Sequence, residues 1–178
     1  MSGDVRRTLT IDAPRAAVYR ALVEPEGLRG WWSTRAEVAT AEGGQTRFVW
    51  SATDYTTFRV DRLDHLAAID WTCVDQRDSN LPEPDEWVGT TIAFRLEEDE
   101  GRTRLVFVHR GLAELECGDM CSGGWDFFLR RSLKPLPVRS TGSLHRPQAH
   151  RQPVLGRQLL PHHVGVAAVP HQPLLQPA

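Results

Sequence analysis

A chain of 178 residues, 40% hydrophobic and 25% charged, is the size of one ordinary domain with a single core. The net charge is only −2, and all 23 acidic residues precede residue 131, so the body of the chain carries no electrostatic footprint for nucleic acid or an anionic membrane surface. No uninterrupted apolar run approaches the roughly 20 residues of a membrane helix, so no membrane insertion is expected.

Three cysteines, an odd number, argue against a disulfide framework and for a reducing compartment. Met1 to Arg7 lead straight into a strand pattern rather than an apolar signal core, and the expected location is the cytoplasm. Val5, Leu9 and Ile11 share one face of that first strand. Pro14 opens a helix in its first turn, where the missing N–H costs nothing, and Val18, Ala21 and Leu22 follow as its buried stripe. Pro25 breaks it, and a short second helix carries Leu28 into Trp31-Trp32. On a short helix those two rings are not expected to point inward together, so one is expected to cap the mouth of the interior.

Gly43-Gly44 marks a turn, after which four or five strands alternate with period two. Thr46, Phe48 and Trp50 share a face in the first, Phe58 and Val60 in the next, and Ala67, Ile69, Trp71 and Cys73 in the one after. Gln76 to Glu86, polar and holding Pro82 and Pro84, reads as a loop. Ile92, Phe94 and Leu96 then alternate with Ala93, Arg95 and Glu97, and Glu98 to Arg102 form a solvated hairpin turn around Gly101. Leu105, Phe107 and His109 return on one face. The last helix begins near Asp119, with Trp125, Phe128, Leu129 and Leu133 as its apolar stripe. A curved antiparallel sheet with one apolar face needs a cover, which this helix supplies. The layout is α+β, with the interior between the concave face and the last helix.

Composition changes near Arg130. Residues 131–178 hold six basic residues, eight of the twelve prolines, and no acidic or aromatic residue. Pro135 and Pro137 stop the last helix. The domain is expected to span 4–134. Residues 135–178 form a Pro/Arg/His-rich tail, read either as natural disorder or, preferentially, as an out-of-frame translation of GC-rich DNA.

Several runs together carry a family resemblance. They are Ile11-Asp-Ala-Pro14 with Trp31-Trp32, Ile69-Asp-Trp71, Glu86-Trp87-Val-Gly89-Thr90, Thr103 through Leu112, and Gly124-Trp125-Asp-Phe-Phe128 with Ser132-Leu133-Lys134. In this order they resemble the SRPBCC (START-like) proteins, in the branch named for homology to the activator of the Hsp chaperone ATPase. The resemblance implies a helix-grip fold around a cavity, and binding of a hydrophobic small molecule.

The candidate ligand-binding residues are Trp32, Phe48, Trp50, Phe58, Trp71, Phe94, Phe107, Trp125 and Phe128, a set of inward rings able to stack on a planar ligand, with His109 as a polar handle. His109 taken singly reads as a neutral histidine satisfied by a neighbour, and His65 as exposed. Cys117 and Cys121, one helical turn apart, read as small buried hydrophobes rather than metal ligands. No catalytic residue, cofactor or metal is assigned. The leading reading is an apolar-ligand binder. Its competitors are a polyketide cyclase or aromatase-like enzyme, with His109 or Arg59 polarising a carbonyl, and a co-chaperone that contacts an Hsp-type ATPase.

Overall fold

In the computed structural model, which describes residues 3–136, alternation sets the first strand: β1 (Val5–Ile11) turns Val5, Leu9 and Ile11 into the core. Pro14 caps α1 (Arg15–Val23), and Pro25 begins α2 (Pro25–Trp31) without a loop between them. The sheet then unrolls as β2 (Ala36–Glu37), β3 (Gln45–Val49), β4 (Tyr55–Asp64), β5 (Ala68–Arg77), β6 (Thr91–Asp99) and β7 (Arg102–Arg110). A 3-10 turn (Leu112–Glu114) leads into α3 (Gly118–Phe127), which continues as a π-helical segment (Phe128–Leu133). The expected last helix is therefore present, but its second part closes with wider turns.

The seven strands form one antiparallel sheet in the order β1-β7-β6-β5-β4-β3-β2. Pairing of β1 with β7 sets the first strand beside the last, with Val5 opposite His109. Between β6 and β7 the turn residues Glu100 and Gly101 both have positive φ, 53° and 82°, which matches the right-handed twist of the strands they join. Register shifts between β4 and β5, at Thr57/Phe58 and Val60/Arg62, leave Val74 and Asp61 without direct partners. Such bulges bend and twist the sheet, which supplies part of its curvature. The core lies between its concave face and the three helices.

The terminal helix is tied down at its middle. Arg7 donates from Nε to Asp126 Oδ1 and from Nη2 to Asp126 Oδ2, both at 2.8 Å, and also to Ser122 Oγ at 2.8 Å. This two-pronged pair carries geometric specificity that a single contact lacks.

Four sequence expectations need correction. Ala67 sits exposed in the β4–β5 turn rather than on an inward face. Gln76 is inside β5 and buried, because the bulge at Val74 shifts the alternation by one. The two-residue strand β2 was not expected at all. Trp31 and Trp32 are both buried, at 3% and 2% exposure, so neither caps a mouth. Trp32 caps the end of α2, with φ −111°, and its ring stacks on that of Trp31 at 5.5 Å. The expected tail, apart from Pro135 and Leu136, lies outside the described residues; Leu136 packs on the core.

Candidate functional site

Trp32 is the hub of the interior. Its ring centroid lies 4.2 Å from Phe48, 5.0 Å from Trp125, 5.7 Å from Phe58 and 5.8 Å from Trp50. Trp71 lies 6.1 Å away and parallel to within 2°. The network continues through Phe94, 5.4 Å from both Trp71 and Phe107, and closes where Phe107 meets Trp125 at 4.5 Å. These rings come from the end of α2, five strands and α3, because each strand's inward period faces the same space. Trp50, just past β3, is only half-buried, and its indole N–H donates to Thr56 Oγ1 at 3.1 Å.

Among the described residues these rings touch one another rather than line an open chamber. Between them and α3 remains a void of about 10 Å³ bordered by Trp32, Trp87, Cys121, Gly124, Trp125 and Phe128, roughly the space of one water. Offset and tilted pairs at these distances each add about 0.5–1.5 kcal/mol beyond the burial of their area.

His109 is fully buried and its two ring nitrogens are both engaged. The Trp125 indole N–H donates to Nδ1 at 3.0 Å, which makes Nδ1 the acceptor and leaves the proton on Nε2. Nε2–H then donates to Thr90 Oγ1 at 2.8 Å, and the Thr90 hydroxyl donates to the Trp87 carbonyl at 2.7 Å. Burial pulls the imidazole pKa down to about 3, against a weak opposing pull from Asp4. A second proton on Nδ1 would also face the Trp125 donor head-on. His109 is thus a neutral linker between α3 and the loop before β6, as its single-residue reading expected.

Trp87 belongs to this site and was absent from the expected set. Its ring stands edge-on to His109 at 4.9 Å and stacks on Trp125 at 6.0 Å. Its backbone N–H donates to Gln76 Oε1 at 2.8 Å and its indole N–H to Cys117 Sγ at 3.4 Å. Asp54 holds the loop that carries Trp87, accepting from the Ser79 backbone N–H and hydroxyl at 3.1 Å each. The Glu86-Trp87-Val-Gly89-Thr90 run carries part of the family resemblance, but it has no strand or helix periodicity that would aim the Trp87 ring inward.

Arg59 does not reach the interior. Phe58 and Val60 point inward, so Arg59 points out, exposed and ion-paired to Asp61 at 2.6 Å. His65 is exposed, as expected. Cys73, Cys117 and Cys121 are free and buried; burial pushes the Cys73 thiol up to about 12. Among the described residues no three His, Cys, Asp or Glu side chains gather as a metal set, and no helix is long and apolar enough to cross a membrane.

A curved antiparallel sheet gripping a terminal helix over an aromatic interior defines the helix-grip class. The chain belongs to the family described as "Activator of Hsp90 ATPase homolog 1-like protein", which it matches over residues 12–136. Among solved structures it is similar to the Aha1 dimer from Colwellia psychrerythraea, at 26% identity and a TM-score of 0.66 over 78% of this chain and 98% of that one. It is also similar to protein MLL2253 from Mesorhizobium loti, at 18% identity and 0.65 over 77% and 98%. DynU16, from the dynemicin biosynthetic locus, shares the fold at 17% identity and 0.61 over 79% of this chain and 49% of its own. No curated protein matches the chain.

Proposed function

We propose that this protein binds an apolar or aromatic small molecule beneath α3, between the last helix and the Trp32 ring cluster. The observation that carries this reading is the convergence of six rings on Trp32 under a helix that includes Gly118, Gly123 and Gly124. A ligand there replaces ring–ring contacts with ring–ligand contacts, so apolar burial is conserved while the helix shifts outward. A planar aromatic burying about 200 Å² gains on the order of 5 kcal/mol at 25 cal/mol per Å² before ordering costs. The fold shared with DynU16, a protein of a biosynthetic locus, supports a small-molecule role.

Native mass spectrometry of the purified chain, followed by denaturing extraction, tests this. The expected result is a co-purifying apolar or aromatic mass that is lost on denaturation. A protein that is empty, and whose tryptophan emission does not respond to any of a panel of planar aromatics, overturns the reading.

The family match favours a second reading, contact with an Hsp-type chaperone. Stimulation of a chaperone's ATPase by the purified chain supports it, and a flat rate across a concentration series counts against it. The cyclase or aromatase reading is weaker, because His109 spends both nitrogens on structure and Arg59 faces solvent. Three free thiols suit a reducing cytoplasm. The out-of-frame origin of the tail remains our proposal, and an intact Pro-rich reading on resequencing of independent clones refutes it.

A further inference from the structure

At the start of α3, Cys117 and Cys121 stand one helical turn apart, each 1% exposed. The Cys121 backbone N–H donates to the Cys117 carbonyl at 2.8 Å, so the turn between them is formed. The Trp87 indole N–H donates to the Cys117 sulfur at 3.4 Å. Cys121 also borders the void of about 10 Å³. Neither thiol takes part in the His109 relay or the ring cluster.

We propose that Cys117 and Cys121 form a two-thiolate site for a soft divalent cation that favours linear coordination, of the mercuric kind, with the ion bridging the two sulfurs beside the void.

Geometry selects a bridge over a disulfide. Side chains four apart on a helix have Cβ atoms about 5–6 Å apart, whereas a disulfide draws them to about 3.5–4.5 Å. An S–S bond therefore requires the turn to unwind. Two metal–sulfur bonds of about 2.3 Å in line span about 4.6 Å, within the Cβ spacing of an intact turn.

Charge selects the ion. Two S–H bonds break, two S–metal bonds form, two protons leave to solvent, and no electron changes hands. With a divalent ion the product is neutral, the form a dry site tolerates. A monovalent soft ion would leave a net negative charge close to Glu86, whose Oε2 accepts from the Cys117 backbone N–H at 3.0 Å. Zinc requires four ligands, and among the described residues no third one gathers with this pair. The Trp87 N–H supplies the outer hydrogen bond that orients a thiolate ligand. Gly118 lowers the helical propensity of the first turn of α3, and local opening of that turn would admit the ion to the buried pair.

The test is titration of the full 178-residue protein with mercuric chloride against excess glutathione, read by native mass and proton release. The expected result is one ion per chain, two protons released, and peptide mapping that places the ion on the fragment holding both Cys117 and Cys121. Cys117→Ser and Cys121→Ser each lower the affinity roughly 100-fold, the advantage of a tethered second ligand, while Cys73→Ser leaves it unchanged. An ion mapped to Cys73, one proton per ion, or full affinity in Cys121→Ser overturns the proposal. Where a serine variant fails to fold, the map on the unaltered chain decides: the ion on the two-cysteine fragment supports the site, and its placement elsewhere rules it out.

Discussion

Replacing His109 with glutamine keeps a donor and an acceptor between Trp125 and Thr90 but removes the titration. In the folded chain burial holds the imidazole neutral down to about pH 3, whereas in the unfolded chain it takes up a proton below about 6.5. Between those values the unfolded state binds a proton that the folded state refuses, so this contribution is intact above about 6.5 and stability is lost as the pH falls toward 3. Integrated from pH 6 to pH 4, the loss from this one group is about 2.5 kcal/mol. Asp54, Glu86 and Asp126 also weaken the fold on acidification, because hydrogen bonds hold their carboxyls below the usual range despite some burial. Both proteins share those losses, so they cancel in the difference. Urea unfolding followed by tryptophan emission at pH 6, 5 and 4 measures it. The wild-type chain is expected to lose about 2.5 kcal/mol more than His109→Gln over that interval. Parallel stability curves would refute the buried neutral linker.

Other substitutions probe separate parts of the fold. Gly123 is exposed inside α3 and a Cβ there meets nothing within 4 Å, so Gly123→Ala is expected to stabilise by about 1 kcal/mol and raise the melting temperature; a lower melting point contradicts that. The Thr57 hydroxyl is buried without a hydrogen-bond partner among the described residues, so Thr57→Val is expected to be neutral or to stabilise by about 1 kcal/mol in chemical denaturation. Trp32→Ala removes the ring that six others touch and is expected to cost about 3–5 kcal/mol. A loss near 1 kcal/mol would mean that the interior is looser than its ring distances imply.

The strands were legible wherever alternation ran unbroken. β6 and β7 pair as their pattern implied, with Phe94 opposite Phe107. Legibility failed where a local irregularity resets the period: the bulge at Val74 carries Gln76 inward, and a strict period-two reading stops at Cys73. The expectation that one of Trp31 and Trp32 caps the mouth fails for a related reason, since helical spacing says nothing about a second ring placed just where the helix ends. Most of the ring set is visible in the sequence because strand periodicity aims side chains, but the closeness of the rings is not. Whether inward rings leave a chamber or fill it depends on sheet curvature and helix height, which no residue pattern encodes. The His109 relay was only half visible, because Thr90 and Trp87 enter from a segment without periodicity.

The π-helical segment has a consequence for chain length. Its closing bond, from the Lys134 N–H to the Leu129 carbonyl at 3.0 Å, spans five residues where an α-turn spans four. Removing exposed Arg131 would let the same two residues bond as an ordinary α-turn, while Trp125 and Phe128 upstream keep their places. The terminal helix therefore carries one residue of slack, confined to this stretch. Deletions and insertions between related chains are expected to collect there, beyond the glycines and short of Lys134, where a change in length leaves the ring cluster in phase.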